Sequence, residues 1–114
     1  MKVKKDHWYW ADGKSLGLSK GHSIIVLSKK GSKCRVRTLT SMEHEKDGRL
    51  RFSFKALNQA KNGDVLPIPK REINSPHYSG VYMGNIKTVD SSDIRPDYLR
   101  LKVPRLYLRL IHRR

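Results

Sequence analysis

The chain has 114 residues, with 25 Lys and Arg against 10 Asp and Glu, a net charge of +15 and a pI near 10.3. That length holds one domain, residues 1–114, with a modest core and no large enclosed active-site cavity. So large an excess of cations points to a polyanionic partner. Nucleic acid ranks before an anionic membrane, because no strongly amphipathic helix dominates the sequence and no uncharged apolar run is long enough to span a bilayer.

In chain order, polar and aromatic residues follow the charged start where a secretory signal would carry an apolar stretch, so a cytoplasmic protein is expected. Residues 7–10 form a short aromatic segment in which Trp8 and Trp10, two apart, are expected to face the core with Tyr9 outward. Residues 11–21, with Gly13, Gly17 and Gly21, read as a loop. Residues 22–28 and 34–41 then form a hairpin through a turn at residues 29–32. In its second strand Arg35, Arg37 and Leu39 alternate with Cys34, Val36, Thr38 and Thr40, which predicts a sheet with one wet face.

Residues 42–48 read as a polar loop, and residues 49–54 as a third strand sending Leu50, Phe52 and Phe54 to one face. Residues 55–62 predict a helix of about two turns, stopped at Asn62-Gly63. Pro67 and Pro69 confine residues 65–69 to a sheet edge. Residues 74–80 are expected to be irregular, residues 85–89 to form a strand, and residues 90–93 a turn or short helix. After Pro104, Leu106, Tyr107, Leu110 and Ile111 fit a helical stripe, while Leu106, Leu108 and Leu110 also fit a strand; helix is preferred. The fold class is therefore α+β, a small, strongly bent antiparallel sheet or partly open barrel with one or two short helices.

The hairpin also frames a candidate site. Antiparallel pairing sets the start of one strand beside the end of the other, so His22 is expected near Thr40 and Ser41. Cleavage of RNA through its own 2′-hydroxyl needs a base, an acid and positive charge on the transition state, without any cofactor. His22 suits the proton transfers, Arg35 and Arg37 suit a phosphate clamp, and Thr40 and Ser41 suit orienting donors. The plainer alternatives are a surface histidine, a strand-end pair that caps a turn, and a solvated arginine face.

Lys29, Lys30, Arg49 and Arg51 extend the candidate nucleic-acid contacts, and Tyr78 and Tyr82, on either side of Gly80, offer rings on which bases can stack. His7, His44, His77 and His112 are scattered and, with the lone Cys34, show no zinc-like spacing, so neither a metal nor another cofactor is expected. A single cysteine also excludes an internal disulfide.

The succession HSIIVLS, CRVRTLTS and IKTVDSSDI, over roughly residues 22–94, resembles the PemK/MazF-like toxins. The resemblance implies an SH3-like barrel and metal-independent cleavage of single-stranded RNA, favouring RNA over DNA. It also implies homodimers and a small acidic antitoxin as partner. By position His22 stands where the family carries an arginine, and Thr40 and Ser41 match its strand-ending Thr-Ser. Ser23 replaces the usual proline, and the family's N-terminal Gly-Asp strand has no counterpart before residue 22. Three functional classes follow: an endoribonuclease, a nucleic-acid-binding protein without cleavage, and a protein-binding inhibitor or assembly factor from a plasmid or phage.

Overall fold

The computed structural model of the chain describes residues 3–18, 20–68, 78–84, 86–95 and 101–113. Strand β1 (His7–Ala11) is followed by a single helical turn, α1 (Gly13–Leu16), inside the segment that composition marks as a loop. Strands β2 (His22–Lys30) and β3 (Lys33–Ser41) form the expected hairpin. Lys30 pairs with Lys33, leaving Gly31-Ser32 as a two-residue turn, and Gly31 at φ 60° supplies the left-handed first position that a type II′ turn requires.

A second hairpin occupies the segment read as a polar loop. Strands β4 (Glu43–Lys46) and β5 (Arg49–Phe52) are joined by Asp47-Gly48, whose φ values of 54° and 75° make a type I′ turn. Ser53 then ends the strand pattern, because its side chain accepts the Ala56 N–H at 3.3 Å and caps helix α2 (Phe54–Lys61). Phe54 thus opens a helix instead of closing a strand. The remaining elements are β6 (Val65–Ile68), β7 (Ser79–Tyr82), β8 (Lys87–Asp90), a 3₁₀ turn (Ser91–Asp93), β9 (Ile94–Arg95), β10 (Leu101–Lys102) and α3 (Arg105–Ile111). Residues 69–77, including most of the segment expected to be irregular, lie outside the described residues, whereas Ser79 and Gly80 belong to β7.

Among the described residues all strand pairs are antiparallel. β9 and β10 follow one another along β1; β2 and β3 come next, and β7 and β8 follow one another along β3. β6 continues from β7 as the edge that its proline demands. Four strand spacings separate β9 from β8 across this path, about 19 Å in a flat sheet. The four Cα steps from Asp90 to Ile94 reach at most about 14 Å. The sheet must therefore curl toward itself, and the curl is fastened where the Asp12 N–H donates to the Asp93 carbonyl (3.1 Å) and the Ser91 N–H to the Ser32 carbonyl (2.8 Å). The expected α+β fold with a strongly bent antiparallel sheet is what the chain adopts.

Both faces of the central strands are covered. Ile24 and Val26 of β2 turn into the barrel with Tyr9, Cys34, Val36 and Val89. Ile25 and Leu27 turn the other way and pack with Trp8, Leu39, Ile68 and Ile111. A continuous apolar run is the signature of a strand buried on both sides. Two expectations change for this reason. Tyr9 does not point outward but is 0% exposed inside the barrel, while Trp8 sits in the opposite core. The face of β3 predicted to be wet is exposed at Arg35 but buried from Arg37 to Leu39, where α3 lies over it. A third, smaller cluster of Met42, Ala56 and Val65 seats α2. Among the described residues no helix is long and apolar enough to cross a membrane.

Candidate nucleic-acid interface

His22 lies at the start of β2, half-buried, and its strand partner is Ala11 of β1. β2 and β3 pair as far as Ile24 with Thr38. Carrying that register two residues further sets His22 level with Thr40, past the last ladder pair, while Thr40 itself pairs with Gly80 of β7. Ser41 is engaged locally. Its hydroxyl donates to the Glu43 carbonyl at 2.8 Å and accepts the Glu43 N–H at 3.3 Å, turning the chain from β3 into β4. Thr40 makes only a 3.5 Å approach to the Ser41 carbonyl. Among the described residues no hydrogen bond joins His22 to either hydroxyl.

Arg37 is not a phosphate clamp. It is 1% exposed, and its guanidinium reaches the C-terminal end of α3. Nε donates to the Ile111 carbonyl at 2.8 Å, Nη2 to the Arg113 carbonyl at 2.7 Å and Nη1, more weakly, to the Tyr82 carbonyl at 3.5 Å. Helix C-termini leave carbonyls without intrahelical donors and carry partial negative charge, so a cation is favoured there. Burial, and next the like charge of Arg35, hold the Arg37 pKa below the ordinary arginine value. No local sequence signal marks this role, since the partners of Arg37 are carbonyls 74 and 76 residues further along the chain.

Exposed cations occur along much of the chain, Lys4, Lys5, Lys14, Lys20, Lys102, Arg105 and Arg109 among them, and two groups flank the hairpin turns. Lys29, Lys30 and Arg35 are exposed around the Gly31-Ser32 turn, where Lys33 is tied to Asp90 at 2.6 Å. Arg49 and Arg51 of β5, with Lys55 and Lys61 of α2, are exposed on the other hairpin and its helix, and residues 49–63 contain no acid. Within this second group Phe52 is 44%, Phe54 84% and Leu57 43% exposed. Tyr78 is half-buried and meets Phe52 edge to face, with ring centroids 4.9 Å apart. The Tyr78 N–H donates to Glu43 Oε1 at 2.6 Å, so the hairpin's carboxylate nearest the rings is hydrogen-bonded into β7's approach. Tyr82 is half-buried and packs toward Met42, Ala56 and Val65. The exposed rings were readable as a site only through Ser53, whose capping places Phe54 on a helix surface.

Clefts lined by described residues include two of appreciable size. One of about 430 Å³ lies among Val65, Leu66, Met83, Leu110 and Arg113, and one of about 280 Å³ among Thr38, Asp64, Tyr82 and Lys87. Neither is lined by His22, Thr40 or Ser41. Among the described residues no three His, Cys, Asp or Glu side chains gather as metal ligands. Compared with models of known protein families and with curated protein sequences, the chain matches neither.

Proposed function

We propose that the protein binds nucleic acid in the cytoplasm, RNA in preference to DNA. One observation carries the reading: Arg49, Arg51, Lys55 and Lys61 are exposed on a stretch that contains no acid, in a chain whose net charge is +15. Each phosphate neutralised by such a cation releases counterions, whatever the base sequence. The resemblance of residues 22–94 to RNA-cleaving toxins supports RNA over DNA. Affinity for an unstructured RNA, measured by fluorescence anisotropy, should fall about 100-fold between 50 and 200 mM salt if about five phosphates are contacted. Affinity that does not change with salt, or no binding at the lowest salt, overturns the reading.

Cleavage is a second reading, and the register that sets His22 level with Thr40 supports it. Arg37 takes no part in it, since its guanidinium holds α3. Single-stranded RNA incubated with the protein and a chelator should then be cut to a cyclic phosphate or its hydrolysis product. His22→Ala should slow that cleavage about 100- to 10,000-fold with binding retained. Intact RNA after prolonged incubation with protein that binds it leaves binding alone.

A further inference from the structure

We infer that Phe54, with Phe52 and Leu57 beside it, is a stacking platform for unpaired nucleobases, so that the protein takes single strands in preference to duplexes; the inference rests on the nucleic-acid reading above. The platform begins with the cap. Ser53 fixes Phe54 at the first position of α2, and Leu57, three residues on, lies on the same helical face. The helix docks through its other side, where Ala56 is buried against Met42 and Val65. Small residues therefore seat α2, and its large apolar residues are left in water. A lone exposed apolar side chain is ordinary, but Phe52, Phe54 and Leu57 fall within six residues of one another, and Tyr78 braces Phe52 edge-on.

Charge selects the occupant. Arg51 precedes Phe52, Lys55 follows Phe54, and both are exposed, so a cation flanks the pair of rings on each side. A second copy of this chain would bring the same cations against these and be repelled. An acidic protein would satisfy the local charge. However, exposed cations continue far beyond this patch, at Lys29, Lys30 and Arg35 of the other hairpin and at Lys102, Arg105 and Arg109, and a net charge of +15 spread so widely suits an extended polyanion better than a compact acidic epitope. Among polyanions, a duplex hides the faces of its bases, whereas a single strand offers each base face to an exposed ring while its phosphates meet the cations.

The test uses the whole chain with a short mixed-sequence RNA carrying 2-aminopurine, a fluorescent base analogue quenched by stacking, and with a duplex of the same sequence. The unaltered protein should quench the single strand and bind it more tightly than the duplex. Phe54→Ala should weaken single-strand binding about 5- to 150-fold and abolish the quenching, leaving duplex affinity and its salt dependence unchanged. Phe54→Tyr should keep both properties. Phe54→Leu, apolar without a π-face, should lose the quenching. Equal single-strand binding by the unaltered protein and Phe54→Ala overturns the platform while leaving the nucleic-acid reading intact; absence of salt-dependent binding to either probe overturns that reading itself. Concentration-dependent dimers abolished by Phe54→Ala would assign the rings to a second copy. An acidic peptide whose affinity falls in Phe54→Ala while that of RNA does not would assign them to a protein. Either result overturns the inference.

Discussion

The barrel under α3 and the hairpin that leads into α2 invert the usual partition of side chains in opposite senses. In the first a guanidinium is almost wholly buried; in the second a phenyl ring stands almost wholly in water. The barrel's inversion is accounted for within the fold, because Arg37 meets the carbonyls of Ile111 and Arg113 at the one end of α3 where a positive charge is favoured. The ring's inversion has no such account. Phe54 contributes little to any core, and α2 is already seated by Ala56. A buried polar group with its hydrogen bonds in place speaks of architecture, whereas an exposed apolar cluster beside exposed cations speaks of a partner.

The strongest way to break this contrast is Arg37→Ala. Loss of charge-assisted bonds to the Ile111 and Arg113 carbonyls, together with the volume of the side chain, should lower stability by about 2–4 kcal/mol in urea denaturation. Nucleic-acid affinity, measured where the variant is still folded, should hold. A variant of native stability that no longer binds RNA would return Arg37 to the phosphate contacts and erase the difference between the two regions.

Much of the barrel was legible in the sequence because its signals are local. Ile24 to Leu27 spell a strand and Asn62-Gly63 a helix stop, and both are realised, while the turn expected over residues 29–32 tightens to Gly31-Ser32 because Lys29 and Lys30 stay in the ladder. Asp47-Gly48 carried an equally local signal for the β4–β5 hairpin, masked by the polar residues around it. Arg37 was misread for a different reason. Alternation tells that Arg35 and Arg37 share a face of β3, but not that α3, whose Ile111 lies 74 residues beyond Arg37, covers one and leaves the other in water. Tyr9 was misjudged on the same ground, since nothing within β1 reveals that both of its faces are covered. Of the candidate site, the hairpin register was legible as far as Ile24 with Thr38, while the departure of His22 to pair with Ala11 and of Thr40 to pair with Gly80 was not.

A smaller perturbation sharpens the comparison by loosening only one side. Ser53→Ala removes the hydroxyl that caps α2 and should lower stability by about 1 kcal/mol. Its effect should be local. Amide hydrogen exchange should speed up through Phe54–Lys61, the span of α2, while the amides of β2 and β3 stay as protected, relative to global stability, as before. Equal loss of protection in the barrel would mean that the platform and the barrel open as one unit, and the separation drawn between them would fail.

The least perturbing measurement reads how dry the barrel is. Cys34 is fully buried beside Val36 and Val89, and burial pushes its thiol above the ordinary value of 9.0, against a smaller opposing pull from Lys29. In the unfolded chain the thiol gives up its proton near 9.0, whereas the folded chain retains it to higher pH. Between the two values the folded state binds more protons, so this contribution is fully present below the unfolded pKa and is lost as pH rises through the folded one. Stability should therefore fall more steeply with alkaline pH in the unaltered protein than in Cys34→Ala. The comparison is of slopes and not of levels, since alanine also leaves a small cavity. Every other charged group is common to the two proteins, so its contribution largely cancels. Identical slopes would mean that water reaches Cys34 in the folded state, and a barrel that wet could not be set against the exposed hairpin as its dry counterpart.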